Sequence, residues 1–333
     1  MKRHRHKKTF KRALRRPFEW LGILLGMAIL SNLPHRLLFV LCDFLSAVMY
    51  RFDGAGRRLA LANLRVITSR HDASGAVGAV TGKELAAYDP TRREELIIRR
   101  SYRNMARTVG HVFWTSRDAG RRAASVASLD AASRGILAAN KPIVTVSAHL
   151  GCWEVLSQLV HLEGHRMMSV AKDIGTPAMT RLLMRSRRSI GQEIVPADGA
   201  FRALMGGLRN GSDIGLLVDQ VVKPREGGLW VRFFGRPVPV SVAPAFLSAK
   251  AKAPIIVAWS RPLRDGTYRC EFIRFYEWRR GVDIWTLTQS CLGDLERVIR
   301  RHPSCWVLNY RYFRKTPSAE ELAQLVKREG GSK

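Results

Sequence analysis

From Ile143 to Ala148 the chain reads IVTVSA, a β-branched apolar run of strand length. Residues 153–164, WEVLSQLVHLEG, then repeat apolar positions at helical spacing and stop at Gly164. The alternation continues. Strands are predicted at MMSVAK (167–172), Gln192–Val195, IGLLVDQ (214–220), WVRFFG (230–235), PIIVAWS (254–260), YRCEFIRF (268–275) and CWVLNYRYF (305–313). Helices are predicted at Pro177–Ile190, at FRALMGGLRNG (201–211) with Asp198 as its cap, and at Asp283–Arg301. Strands that alternate with helices predict an α/β fold: a single, mostly parallel sheet flanked by helices on both faces.

Upstream the pattern is helical and more apolar. Arg57–Thr68 reads as an amphipathic helix with Leu59, Ala62 and Val66 on one side. Pro90 opens a long helix through Thr115 that carries Arg99, Arg100, Arg103 and Arg107 on its polar side. Between them, residues 69–83 are rich in Gly, Ser and Ala and read as a loop. Earlier still, two apolar stretches, Trp20–Leu33 and Leu37–Tyr50, follow a tail in which residues 2–16 hold nine Lys/Arg. A cleaved leader has this order, but no small-residue cleavage site is present. Each stretch is too short for a span or carries a charge such as Asp43. A soluble core helix behind a solvated tail is the plainer alternative. The pattern favours helices lying in a membrane interface, with the basic end on the cytoplasmic side. The expected division is a basic tail (1–16), membrane-associating helices (17–50), an α/β domain (51–315) and a basic tail (316–333), the last a surface helix or disordered.

Charge narrows the partners. The 333 residues hold 56 Lys+Arg against 27 Asp+Glu, a formal net charge of +29. Such a surface attracts polyanions: an anionic membrane face, an acidic protein or nucleic acid. No nucleic-acid-binding motif occurs, so no nucleic acid is expected as a partner. The five cysteines are scattered with no CxxC pair, which argues against a disulfide framework and a zinc site. No metal and no cofactor are expected.

The chemistry concentrates at Ser147–Glu154, SAHLGCWE. An apolar strand delivers His149 at its carboxyl end, Gly151 permits a tight turn, and a helix begins at once. Ligands of open α/β sheets bind at that edge, and a histidine there can serve as a general base. Glu154, in the first helical turn, is placed to fold back onto the imidazole Nδ1 and fix its tautomer. The helix amino terminus offers N–H groups to a developing oxyanion. The H-x4-E spacing alone recurs by chance; the strand–glycine–helix context gives it weight.

HLGCWE resembles the HLGNWE box of the lipid A biosynthesis acyltransferases, within the lysophospholipid acyltransferase superfamily. Other blocks agree in order: NLR (Asn63–Arg65), RRSYRNMART (Arg99–Thr108), an arginine before G-x-x-I/V (Arg187 or Arg188 before Gly191), LLVDQ (Leu216–Gln220), FFGRPVPV (Phe233–Val240), APAFLSAKAKAPIIV, and HPSCWVLNYR (His302–Arg311). Cys152 stands where that family has Asn, the closing block lacks a second tryptophan, and the insert around 69–86 is long.

The resemblance implies that His149 deprotonates a hydroxyl of a lipid A precursor, supported by Glu154. It implies an acyl carrier protein as donor, with coenzyme A as the other option, at the inner membrane with the site facing the cytoplasm. The acidic carrier is a second reason for the basic surface. Arg187 and Arg188 are candidates for phosphate contact, Asp219 and Gln220 for acceptor binding or loop capping. Trp153, Phe233 and Phe234, with Gly235 of the same block, are candidates for an acyl groove, against the ordinary reading that such aromatics are core. His111, His161 and His165 are read as structural. Alternatives are another glycolipid or aminolipid acceptor, or a non-catalytic basic protein that binds membrane or nucleic acid.

Overall fold

The computed structural model describes residues 22, 25–26, 28–69, 85, 88–140, 142–171 and 177–331. The amino-terminal basic tail, much of the first apolar stretch and nearly all of the predicted 69–83 loop lie outside the described residues.

The helical part comes first: α1 (His35–Phe52), α2 (Gly54–Thr68), α3 (Arg92–Thr115), α4 (Ala119–Val126) and α5 (Ala131–Ala139), with a short strand β1 (Ala127–Leu129) between the last two. The long helix starts at Arg92 rather than at Pro90. Thr91 accepts from the Glu94 N–H while Glu94 reaches back to the Thr91 N–H, so both orphan donors are satisfied there. Asp43, the charge that interrupts the second apolar stretch, has a structural use: it accepts two bonds of 2.7 Å from Arg107 and ties α1 to α3.

The alternating part follows: β2 (Val144–Ser147), α6 (Trp153–Leu162), β3 (Met167–Ala171), α7 (Pro177–Ser189), β4 (Glu193–Pro196), α8 (Ala200–Arg209), β5 (Asp213–Leu217), β6 (Gly228–Phe233), β7 (Arg236–Ser241), α9 (Ala243–Ala251), β8 (Ile255–Pro262), β9 (Tyr268–Tyr276), α10 (Ile284–Arg301) and α11 (Ala319–Gly331). Seven strands form one sheet in the order β1-β9-β8-β2-β5-β3-β4. From β8 to β4 the strands are parallel; β9 runs against β8, and β1 follows β9.

Strand residues alternate between the two faces of the sheet, and both faces are buried. Val144, Val146, Ile255 and Val257 face a core built with Leu204 and Leu208 of α8, Leu247 of α9, and Leu292 and Leu295 of α10. Ile143, Ile256 and Ala258 face the other way, onto Val155 and Leu159 of α6, Leu137 of α5 and Leu38 of α1.

Three expectations are corrected. WVRFFG is a strand but not of the main sheet: β6 pairs only with β7 in an antiparallel hairpin. CWVLNYRYF is not a strand; a 3-10 turn at Pro303–Cys305 leads into a segment pinned by side chains. Asp198 does not cap α8, whose N-cap is Gly199 in a left-handed conformation. Of the two forms expected for the carboxyl-terminal tail, the structure shows the helix, which buries Leu325 and joins the hairpin through Arg232 and Glu329, 2.9 Å apart.

No described helix is long and apolar enough to cross a membrane. On α1, however, Leu37, Val40, Phe44, Leu45, Val48, Met49 and Phe52 form an exposed apolar stripe, with Phe44 at 65% and Phe52 at 81% exposure. Phe39, on the inner side, packs on Tyr268 and on Gly266 in the β8–β9 turn. Because β8 is parallel to β2, that turn lies at the same carboxyl edge of the sheet as His149.

Candidate active site

The site begins with the turn after β2. Gly151 has φ +64°, and a Cβ there would come within 1.7 Å of the Ser260 carbonyl oxygen. Only glycine lets the chain turn this tightly against β8. The turn is then fastened: the Gly151 N–H donates to Cys305 O and the Cys152 N–H to Ser260 O. Helix α6 starts at the N-cap Cys152, whose side chain makes no capping hydrogen bond.

His149 leaves this turn with its side chain 22% exposed. Its Nδ1 lies 2.8 Å from Asp219 Oδ1, and its backbone N–H donates to Asp219 Oδ2 at 3.0 Å. Asp219 is fully buried just beyond β5. The Trp306 indole N–H supplies a third bond, to Oδ2 at 2.9 Å. Burial alone would raise the Asp219 carboxyl, but His149 and Trp306 outweigh it and hold the group below the usual carboxylate range. An acceptor at Nδ1 places the imidazole proton there and leaves the lone pair on Nε2. The Gln220 amide nitrogen reaches that Nε2 at 3.3 Å.

Glu154 is not the Nδ1 partner. Its carboxylate is buried in the first turn of α6, where it accepts from Arg187 Nη2 at 2.6 Å, Arg187 Nε at 3.1 Å and Trp153 Nε1 at 3.0 Å. Burial pushes this carboxyl up, but the Arg187 guanidinium and the Trp153 N–H pull harder, and it sits below its ordinary value. Its link to the histidine is indirect: the Trp153 ring stands edge-on to His149 with centroids 5.0 Å apart. The physical reason is topological. Strand β5 is inserted next to β2, so a residue from its end reaches Nδ1 first.

The other predicted residues divide. Arg187 is drawn into the site by Glu154, whereas Arg188 is exposed on α7. Gln220 reaches the histidine. Phe233 and Phe234 are fully buried and pack on Trp306, so they are core rather than an open groove. Phe234 and Gly235, with φ of 53° and 77°, are the two turn residues of the β6–β7 hairpin. Cys152 is fully buried, and burial pushes its thiol up to about 12, which removes it as a nucleophile. His111 bonds Gln158, and His165 pairs with Asp213 in the interior.

Sequence reasoning missed Trp306 and the scaffold that holds it. Ser101 Oγ donates to Trp306 O and accepts from the Leu308 N–H; the Asn104 amide donates to Ser304 O, and the Asn63 amide to Leu308 O and Tyr310 O. The signal was present as the separate NLR, RRSYRNMART and HPSCWVLNYR blocks, which the structure shows to be one network.

A comparison with curated proteins gives no match. Residues 88–315, which include His149, Glu154, Arg187, Asp219 and Trp306, match the family model described as bacterial lipid A biosynthesis acyltransferase. With that match over more than half of its length, the chain belongs to the bacterial lipid A biosynthesis acyltransferase family, whose members transfer acyl groups.

Proposed function

We propose that this chain transfers a fatty acyl group from acyl carrier protein, or from acyl-coenzyme A, to a hydroxyl of a lipid A precursor. One observation carries the reading: the partly exposed His149 has its Nδ1 held by the buried Asp219 at 2.8 Å, which leaves Nε2 as the basic nitrogen. His149 Nε2 takes the proton of the acceptor hydroxyl as its oxygen attacks the acyl carbonyl. Asp219 fixes the tautomer and stabilises the imidazolium that forms. The Gln220 amide, which engages Nε2 in the free protein, gives way to the acceptor. The carrier thiol leaves with the proton from the imidazolium. Glu154 supports the base through Trp153 and anchors Arg187 at the rim of the site, where its guanidinium meets phosphate of acceptor or carrier. The uncapped first turn of α6 faces the oxyanion.

The lipid acceptor resides in a membrane, and the α1 stripe suits that surface. We propose that Val40, Phe44 and Phe52 dip into the headgroup region of the inner leaflet while the basic residues before them sit on anionic lipid. The site then opens toward the cytoplasm, where an acidic carrier meets the basic surface.

The test is acyl transfer by purified, detergent-solubilised protein from labelled acyl carrier protein to a panel of lipid acceptors, with His149→Ala and Asp219→Ala in parallel. Transfer to a lipid A precursor that is lost in both variants is expected. Transfer only to another glycolipid or an aminolipid would retire the lipid A acceptor. No transfer from either donor type by folded protein would overturn the reading.

A further inference from the structure

Trp306 lies far from the H-x4-E box in sequence, yet its indole N–H is one of three donors on the buried Asp219 carboxylate. The indoles of Trp114 and Trp285 find backbone carbonyls, at Leu33 and Trp230, while those of Trp153 and Trp259 find the carboxylates of Glu154 and Glu271. Trp306 bonds the carboxylate that, among the described residues, touches the candidate base.

The ring itself is clamped on several sides. Tyr312 stacks on it at 3.9 Å and 18°, and the Tyr312 hydroxyl closes the segment by donating to Val307 O. Phe233 meets it edge-on at 5.8 Å and 88°, and Phe234 lies at 5.6 Å. The hairpin that carries the two phenylalanines is held in turn by α10. The Phe234 N–H donates to Glu296 at 2.6 Å, and Gln289 brackets the Arg232 backbone at 2.7 and 2.8 Å. Those bonds satisfy a hairpin strand that, among the described residues, has no further strand beside it.

We propose that Trp306 is a positioning residue of the acyl-transfer site, its indole N–H keeping Asp219 aimed at His149 Nδ1, with the β6–β7 hairpin and Tyr312 as the clamp that fixes the indole. The proposal rests on the acyltransferase reading for its kinetic test and stands independently of it for its spectroscopic one. A carboxylate with one donor removed can rotate about its Cβ–Cγ bond. Fixed from two sides, Oδ1 has one direction to point.

The experiment compares Trp306→Phe, which keeps an aromatic ring in the stack and removes the N–H together with part of the indole's bulk, with Asp219→Asn and the double variant. Trp306→Phe is expected to lower kcat roughly ten- to a hundredfold, with KM within about twofold of wild type. In the Asp219→Asn background the same change should cost nothing further, because its route to the base is already cut. A loss that simply multiplies in the double variant, or wild-type kcat in Trp306→Phe, overturns the proposal. If Trp306→Phe does not fold, Phe234→Leu loosens the clamp with the indole retained. Its kcat loss should be smaller and should again vanish beside Asp219→Asn; a loss that persists there overturns it.

Nitrogen-15 spectra of the His149 ring give the second readout. Wild type should show the proton on Nδ1, and Trp306→Phe should move a share of it to Nε2. Were wild type inactive on every lipid while this change appeared, the acyltransferase reading alone would fall. An unchanged tautomer in Trp306→Phe would sink the positioning role whatever the activity.

Discussion

Asp219 Oδ1 lies 2.8 Å from His149 Nδ1 although 70 positions separate the two residues in the chain. The register of the central strands explains it. Thr145 pairs with Gly215 and Ser147 with Leu217, an offset that continues past the strand ends to set His149 opposite Asp219. Asp219→Asn should therefore leave the fold intact and disable the base, because an amide does not demand the proton at Nδ1. A kcat loss of about 10^3- to 10^4-fold with little change in KM is expected. Steady-state kinetics on the best acceptor from the panel check it; a loss under about tenfold would contradict the assignment.

Glu154 and Arg187 should behave as a buried ion pair. Removing Arg187 alone, as Arg187→Gln, strands a carboxylate that is 5% exposed and should cost about 3 kcal/mol, whereas Glu154→Gln with Arg187→Gln should recover much of it. The pH dependence has a definite sign. In wild type the folded carboxyl is held below its ordinary value, so its contribution is present above about pH 4.3, the unfolded value, and is lost as acid protonates the folded form. Without the arginine, burial raises that carboxyl, and mild acid should stabilise the variant relative to pH 7. Urea midpoints of both proteins at pH 5 and pH 7 test the reversal.

His111 titrates in the opposite setting. It is fully buried on α3, its Nε2 meets Gln158 Oε1 at 3.0 Å, and burial lowers its pKa to about 4. Its neutral form is the folded form. Stability should be fully present above the ordinary value of about 6.5 and fall as pH drops toward 4, by up to about 3 kcal/mol. His111→Asn should flatten that slope in denaturant titrations between pH 7 and pH 4.5.

The α1 stripe predicts a lipid dependence that leaves the catalytic groups untouched. Val40→Glu with Phe44→Glu puts two charges on positions that are 67% and 65% exposed. Thermal stability in detergent should hold within about 0.5 kcal/mol for each surface change. Flotation with anionic vesicles should fall severalfold, and activity on acceptor presented in vesicles should fall with it. Unchanged flotation would remove α1 as the membrane-facing element.

Much of the sheet was legible because a buried parallel strand leaves a short β-branched run between helical periods, as at Ile143–Ala148 and Pro254–Ser260. The hairpin partner was not. Pro237 and Pro239 interrupt RPVPVS, and proline reads as a strand breaker; β7 tolerates both because, among the described residues, it has no strand neighbour but β6. The aromatic run from Cys305 imitates a strand, but its backbone makes one isolated bridge, Leu150 with Trp306, and elsewhere bonds the side chains of Ser101 and Asn63. The histidine could be found from its place at a strand end. Its partner depended on which strand lies beside β2, and local sequence does not encode that neighbour.

The bonds from Asn63 to Leu308 and Tyr310 span 245 and 247 residues. Contacts this distant along the chain form late, because a very long loop must close before they repay its entropy. During synthesis His149 and Asp219 leave the ribosome well before Trp306 does. A nascent chain can therefore assemble the central sheet while the aromatic clamp behind Asp219 is still missing, and the site matures only when the closing segment docks between α2 and α3. Refolding should show two clocks: helical signal recovers first, and tryptophan burial and activity return together in a slower step.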